Sequence, residues 1–154
     1  MTSKASQRNS MLLPFHSGLM ITTPFDQECA RLADRHYSRR TVGSDQFAYS
    51  GRKLVLRDYR GDVLFVWMYA DVELRMDHQV GYNCSIFRNE SSRRSSEIIL
   101  EAERFAFEKW GPNRLYTYID PQKIRSTNPG YCFLMAGWRK AGRTRDGRKI
   151  LLEK

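Results

Sequence analysis

The stretch GYNCSIFRNESSRRSSEIILEAERFAFEKWGPNRLYTYID, residues 81–120, decides the fold. Its pattern predicts an extended segment over Gly81 to Phe87, an Arg/Ser loop over Arg88 to Ser96 and a helix over Glu97 to Trp110. A second extended segment follows over Arg114 to Asp120. Two strands joined through a helix form a parallel pair with a right-handed crossover, so this stretch predicts a βαβ unit.

The helix in this unit has clear start and stop signals. Ser95 or Ser96 supplies an N-cap oxygen, and Glu97 places negative charge in the first turn. Gly111 and Pro112 end the helix. One apolar face is formed by Ile98, Ala102, Phe105 and Ala106. This spacing is typical of a helix that packs on a sheet.

The Arg/Ser loop lies where a strand ends and a helix begins. Backbone N–H groups and the positive end of a helix dipole bind anions there, and Arg88, Arg93 and Arg94 could converge on the same anion. The loop therefore indicates a phosphate site that also includes Ser95 and Ser96. Ser and Arg also occur together in plain solvated loops, so that alternative stays open.

The composition limits the number of domains and the kind of partner. The chain has 154 residues, 41% of them apolar, which suffices for one sizeable core and is short for two domains. We expect residues 1–10, which are polar, to form a disordered arm, and residues 11–154 to form a single domain. The 26 Lys and Arg residues against 17 Asp and Glu give a net charge of +9. Such a charge favours a polyanionic partner, nucleic acid before membrane, although a merely basic protein is the alternative.

The cysteine pattern and the hydropathy indicate the cellular compartment. Cys29, Cys84 and Cys132 are far apart, odd in number and without a Cys-x-x-Cys pair, which fits buried thiols in a reducing cytosol. No stretch approaches the roughly 18 apolar residues of a membrane span, and the N-terminus lacks the pattern of a signal peptide. We therefore expect a cytoplasmic protein.

The first helix is predicted to open at Thr23-Pro24 and to end in the pentapeptide His36-Tyr37-Ser38-Arg39-Arg40. His36 could act as a base or ligand, Tyr37 could stack or donate a proton, and the arginines could hold phosphates. Cationic residues at a helix end also simply complement its dipole. Both interpretations remain open.

Two strands, Lys53–Arg57 and Val63–Tyr69, are predicted to form a hairpin around Gly61. The period of two places Trp67 and Tyr69 on one face. With Tyr49 they could stack on a base, although aromatic residues on a strand face are more often core. Further on, Asn128-Pro129 is predicted to open a short helix, Gly130 to Ala136, and a terminal hairpin pairs 138–144 with 149–153.

The element order predicts an α+β fold with a mixed, mostly antiparallel twisted sheet and flanking helices. This pattern resembles the GNAT superfamily of N-acetyltransferases, in which the loop before the corresponding helix binds the pyrophosphate of coenzyme A. The segment NPGYCFLMAGW, residues 128–138, looks like that superfamily's closing pattern. The chain departs from the superfamily in one respect, because the loop over Arg88 to Ser96 contains no glycine.

The glycine-poor loop, the His36-Tyr37-Ser38 segment, Asp120 and the Tyr131 helix together resemble the phage Mom family of DNA adenine-modifying proteins. The resemblance covers residues 23–154. It implies transfer of a methylcarbamoyl (acetamido-type) group to adenine N6 in double-stranded DNA, which protects phage DNA from restriction in the infected bacterial cell. An acyl-CoA, acetyl-CoA first, is the implied donor.

The resemblance and the residue types together assign three sets of residues. The catalytic set is Asp120, His36, Tyr131 and Tyr37. The donor-binding set is Arg88, Arg93, Arg94, Ser95, Ser96 and Asn128. The DNA-binding set is Ser38, Arg39, Arg40, Tyr49, Trp67, Tyr69, Lys123, Arg125 and Ser126.

Iron is suggested for the family, but the sequence offers no convincing ligand set: Asp77-His78 alone is a weak signal. Two other function classes remain open. One is an acetyltransferase acting on a protein or small molecule, and the other is a nucleic-acid-binding protein without catalysis. The oligomeric state is also open, with a dimer among the alternatives.

Overall fold

A computed structural model describes residues 18–39, 41–44, 47–48, 51–70, 77–124 and 127–154. The strands are β1 (Leu19–Thr22), β2 (Arg52–Asp58), β3 (Val63–Tyr69), β4 (Tyr82–Asn89), β5 (Leu115–Ile119), β6 (Arg139–Arg143) and β7 (Ile150–Glu153). The helices are α1 (Gln27–Asp34), α2 (Ser95–Trp110) and α3 (Tyr131–Met135). In this part of the chain, no helix is both long and apolar enough to span a bilayer.

The seven strands form one sheet in the order β1-β2-β3-β4-β5-β7-β6. All neighbours are antiparallel except β4 and β5, which run parallel and are joined through α2. The expected α+β class, the βαβ unit and the terminal hairpin are therefore confirmed.

The sheet has an apolar layer on each face. On one side α2 and α3 pack against a core that includes Trp67, Tyr82 and Leu152. On the other side α1 covers Val66 and Met68. The predicted alternation along β3 is thus confirmed, since Trp67 and Val66 lie on opposite faces.

Helix α1 begins later than the sequence predicted, at Gln27 rather than near Pro24. Asp26 is its N-cap, with Oδ1 accepting from the backbone N–H groups of Glu28 at 3.0 Å and Cys29 at 3.1 Å. Burial by itself would raise the pKa of Asp26, but hydrogen bonds from Thr22 and Arg57 hold it at about 2. The carboxylate therefore ties α1 to strand β2.

Helices α2 and α3 also begin at positions other than those predicted. Arg94, in an extended conformation, is the N-cap of α2, so Ser95 is the first helical residue and no side chain caps this end. Gly130 precedes α3 with φ of 80° and lies against Leu152, where a Cβ would come within 2.7 Å of Cδ1. Glycine thus permits both the left-handed turn and the close packing of α3 on the sheet.

Candidate functional site

The two parallel strands separate at their C-terminal ends. β4 pairs with β5 only over Tyr82 to Cys84, opposite Leu115 to Thr117. Beyond this point Ser85 is an extra residue relative to β3, because Val66 faces Ile86 while Trp67 faces Cys84. A β-bulge bends and twists its strand, so the sheet opens into a cleft here.

The cleft encloses about 340 Å³. One wall comes from the segment after α1, and the other from α3 and the residues before it. The lining residues are His36, Tyr37, Cys84, Ser85, Phe87, Thr117, Tyr118, Ile119, Ile124, Asn128, Gly130, Tyr131, Cys132 and Phe133. The fold therefore brings together His36, Tyr37, Asn128 and Tyr131, four of the predicted site residues.

His36 is held as a neutral hydrogen-bond donor. Its Nδ1 accepts the backbone N–H of Ser38 at 3.1 Å and lies 2.7 Å from the Ser38 hydroxyl oxygen. Burial, together with the charge of Arg88, lowers the pKa of His36 to about 4. Because Nδ1 is an acceptor, the single ring proton is on Nε2. His36 is therefore better suited to donate a hydrogen bond than to act as a base.

Tyr37 crosses the gap between the diverging strands. Its ring stacks on His36, with 4.4 Å between centroids, and its hydroxyl oxygen accepts the backbone N–H of Asp120. Burial raises the pKa of Tyr37, so the phenol is protonated at neutral pH. The hydroxyl retains its own hydrogen for donation within the cleft.

The Asp120 side chain lies beside the cleft and is 1% exposed. Its Oδ1 accepts the backbone N–H of Gln122 at 3.1 Å, and its Oδ2 lies 3.3 Å from Nε of Arg148 without a hydrogen bond. Asp120 does not line the cleft directly. The carboxylate nevertheless has an unused buried acceptor, which is unusual in a folded protein.

Two thiols lie in the cleft, a grouping that the sequence did not reveal. Burial raises the pKa of Cys84 well above its usual range and also raises that of Cys132. A thiol attacks as the thiolate, so neither cysteine is activated as a nucleophile. Acyl transfer through a cysteine intermediate is therefore disfavoured.

A second depression, of about 380 Å³, lies beside the cleft at the N-terminus of α2. Arg94, Ser95 and Ser96 line one side, and Tyr131, Cys132 and Met135 line the other. Tyr131 and Cys132 also line the cleft, so the two spaces are adjacent. Tyr131, 55% exposed, lies at the junction.

The other two loop arginines do not converge on this depression, contrary to the sequence prediction. Arg93 is paired with Glu101 at 2.8 Å. Arg88 is paired with Glu90 at 2.6 Å and donates to the carbonyl of Arg35. The loop itself is braced by Asn89, whose amide donates to Ser95 Oγ at 3.0 Å. Of the three arginines, only Arg94 faces the depression.

A third, cationic depression borders the cleft on the α1 side. Its lining residues are Arg35, His36, Tyr37, Phe87, Arg88, Asn89, Lys123 and Ile124. Lys123 therefore lies near the cleft, as predicted for a DNA-binding residue. Arg88 belongs to this depression rather than to the N-terminus of α2.

Three predicted DNA-binding residues are excluded from that role by burial or position. Trp67 is 0% exposed and donates Nε1–H to the Ala102 carbonyl at 2.8 Å, so it cannot stack on a base. Tyr69 lies at the opposite end of β3 from the cleft, under Arg52. The Arg39 side chain, 5% exposed, is bound to Asp34 and to the Ser44 carbonyl. Arg40, Tyr49, Arg125 and Ser126 fall outside the described residues.

No family model matches the chain, and no curated protein or solved structure matches it either. Among the described residues, no group of three or more His, Cys, Asp or Glu side chains could hold a metal ion. The iron suggested by the family resemblance therefore has no matching ligand set in this part of the chain.

Proposed function

We propose that this protein is an acyl-CoA-dependent transferase with a GNAT-like fold that modifies the N6 amine of adenine in DNA. The observation that carries the proposal is the pair of adjacent spaces, the β4/β5 cleft and the depression at the N-terminus of α2, which share Tyr131 and Cys132 in their linings. A long donor with a phosphate-rich end and a narrow acyl-bearing arm fits such a pair of spaces. The resemblance to the phage Mom family and the net charge of +9 support DNA as the acceptor.

The donor's pyrophosphate would bind at the N-terminus of α2. Arg94 supplies a cation there, and the N–H groups of Ser95 and Ser96 are at the positive end of a 16-residue helix. Beyond Cys84, β4 has no strand partner on its β5 side among the described residues, so its peptide groups could bind an extended, amide-containing arm. Asn128 adds an amide side chain to the cleft.

The donor, when bound, supplies a thioester whose acyl carbon accepts the amine. Tyr131 is placed between the two spaces and is the residue we assign to protonate the leaving sulfur. His36 can donate Nε2–H to developing negative charge on oxygen. Asp120, whose Oδ2 has only the 3.3 Å contact with Arg148, is the residue we assign to take the amine proton, through one bridging water because the carboxylate does not line the cleft.

Adenine N6 is paired in duplex DNA, so the base must leave the stack to react. The stacked rings of His36 and Tyr37, with Phe87 beside them in the cleft, offer an apolar and aromatic surface for an extruded base. Tyr37 and Phe87 thus replace Trp67 and Tyr69 as the aromatic candidates for base binding.

The test is to incubate duplex DNA with the protein and acetyl-CoA or another acyl-CoA, digest the DNA and weigh the nucleosides. A modified adenosine that requires both protein and donor is the expected result, and a mass gain equal to the acyl group of the donor supports attack on the thioester carbon. A methylcarbamoyl mass would instead require a bond to the methyl carbon and a second, nitrogen-supplying reactant. Unmodified adenosine with every donor would refute the DNA-modifying activity. Acylation of added polyamines or peptides would then indicate an acetyltransferase of another substrate class, and DNA binding alone a non-catalytic protein.

A further inference from the structure

The β6–β7 hairpin carries an unusual concentration of positive charge. Residues 139–149, defined here as the basic hairpin, contain six basic residues and one acidic residue. The basic residues are Arg139, Lys140, Arg143, Arg145, Arg148 and Lys149. The net charge of +5 in eleven residues is more than half of the +9 of the whole chain.

These charges face solvent. β6 is an edge strand, and all five of its residues are exposed. Lys140, Arg145 and Lys149 have no ion pair with any described residue, and Arg139, although paired with Glu153 at 2.6 Å, remains 79% exposed. Of the six cations, Arg139 and Arg148 pair with carboxylates of the described residues, so most of the charge of the hairpin is open to solvent in this part of the chain.

Neither protection of the sheet edge nor binding to a membrane surface accounts for this pattern. Charged residues on an edge strand prevent edge-to-edge aggregation, but that role does not require the cations of the turn, Arg145 and Arg148, or the near absence of acidic residues. A membrane-surface element would expose large apolar side chains beside its cations, and residues 139–149 contain none. Phosphates of a nucleic acid remain the chemistry that fits.

We propose that the basic hairpin binds the phosphate backbone of duplex DNA and directs it toward the cleft. This inference rests on the proposed function, since it assumes that DNA is the acceptor. Because β7 is also paired with β5, the parts of the hairpin that are open to DNA phosphates are the edge strand β6 and the exposed turn that follows it. The hairpin also lies close to the cleft, because Arg148 contacts Asp120, which follows β5 beside the cleft. DNA held by the hairpin is therefore delivered next to the cleft.

The experiment compares two triple variants with equal loss of charge. Lys140→Gln/Arg145→Gln/Lys149→Gln lowers the net charge of the hairpin from +5 to +2 without touching Arg148 or any ion pair of the described residues. Arg31→Gln/Arg60→Gln/Arg104→Gln removes three exposed cations from α1, the β2–β3 turn and α2. Binding of a labelled duplex is measured by fluorescence anisotropy at several salt concentrations, and circular dichroism melting verifies the fold of each variant.

The hairpin variant is expected to bind the duplex about tenfold or more weakly than wild type. The slope of log K against log salt should fall by up to about 3, because each phosphate that the protein no longer neutralises removes roughly 0.9 from it. The control triple should stay close to wild type. Equal weakening in the two variants, or wild-type binding by the hairpin variant, would overturn the inference.

Nucleoside mass analysis of the same samples separates this inference from the proposed function. If wild type modifies DNA and the hairpin variant binds and modifies it like the control, the hairpin inference is wrong and the proposed function stands. If only the hairpin variant loses binding while no donor yields modified DNA, the hairpin inference holds and the proposed function fails.

Discussion

Nε of Arg148, in the terminal hairpin, lies 3.3 Å from Oδ2 of Asp120 at the end of β5. The arginine side chain is 51% exposed, whereas that of the aspartate is 1% exposed. The contact joins a solvent-exposed basic surface to a buried carboxylate beside the cleft. It leaves Oδ2 without a hydrogen bond, and this open acceptor position is the basis of the role proposed for Asp120.

Replacing Asp120 by Asn tests this carboxylate. The amide oxygen can keep the contact with the Gln122 backbone N–H, so folding and DNA binding should change little. Turnover should fall by roughly 10²–10⁴-fold, the usual scale for a positioned acid or base. Modified nucleoside per unit time is the measurement, with melting temperature as the control. Near-normal turnover would show that the carboxylate serves only to shape the turn.

Tyr131→Phe removes only a hydroxyl from a side chain that is 55% exposed. Stability and donor affinity should remain near those of wild type, because the ring and the short helix α3 are retained. Turnover should drop by roughly 10²-fold or more if the phenol protonates the leaving sulfur. Single-turnover kinetics and coenzyme A binding by calorimetry separate the two quantities. A loss confined to donor affinity would assign the hydroxyl to binding instead.

Arg94→Ala tests the donor site more cleanly than a change that includes Arg93. Arg93 is paired with Glu101, so its removal would disturb the start of α2, whereas Arg94 is exposed at the N-cap. Loss of one charge-assisted hydrogen bond, worth about 1.5–3 kcal/mol when well formed, should weaken coenzyme A binding by about tenfold or more. Arg104→Ala, on the exposed face of the same helix, is the matched control. Equal effects would refute a site at the α2 N-terminus.

The sequence was sufficient for elements that depend on local pattern. The apolar period of α2 and the alternation along β3 each identify an element and its buried face, as Ala102 and Trp67 show. The start of α1 was misplaced because Asp26, rather than Pro24, supplies the capping oxygen. That choice depends on Arg57, which reaches Asp26 from the neighbouring strand at 2.9 Å.

The candidate site was predicted only in part, because its geometry depends on contacts between distant segments. The bulge at Ser85 exists only relative to the register of β3, and Tyr37 meets the backbone of Asp120 across 83 positions of sequence. The residue types and the family resemblance together assigned His36 and Tyr131 to the candidate site, and both line the cleft. They could not show that Arg93 would pair with Glu101 and so be unavailable to a ligand.

Stability should fall as the pH is lowered from 7 to 5, and His36 is the cause. The imidazole has an ordinary pKa of 6.5 and a pKa of about 4 in the fold, because burial disfavours its charged form. Below pH 6.5 the unfolded chain therefore binds a proton that the folded chain does not. The stabilisation that comes from keeping His36 neutral is fully present above pH 6.5 and is lost as the pH falls toward 4. By pH 5 the free energy of unfolding should be lower by about 2 kcal/mol.

Urea unfolding at pH 7 and pH 5 measures this dependence. His36→Gln should remove most of the difference between the two pH values, whatever its effect at pH 7. His78→Gln, at an exposed position, should retain the difference and serves as the matched control. Asp26 does not interfere, since its pKa of about 2 confines its own loss to more acidic solutions. An unchanged pH dependence in His36→Gln would contradict the assignment.

Gly81 tests how closely β4 and β5 must approach before they diverge into the cleft. It precedes β4, and a Cβ there would lie 2.1 Å from the Arg114 carbonyl oxygen. Its φ of +116° is also a conformation that favours glycine. Gly51 has nearly the same φ, +120°, but within 4 Å its Cβ would meet only Met68 Cε, at 3.9 Å.

Alanine at each position therefore separates backbone strain from a backbone clash. Gly51→Ala carries the strain alone and should cost roughly 1–2 kcal/mol in the free energy of unfolding. Gly81→Ala adds the clash with Arg114, which cannot be relieved by rotating a side chain because the atom is a carbonyl oxygen. It should cost at least about 2 kcal/mol more, since β4 and β5 must move apart and weaken the hydrogen bond from Tyr82 N–H to Arg114 O, now 2.8 Å. Urea unfolding of both variants measures the two losses of stability. Equal destabilisation would mean that β4 and β5 tolerate separation at this point. In that case Gly81 does not fix the closed end of the cleft.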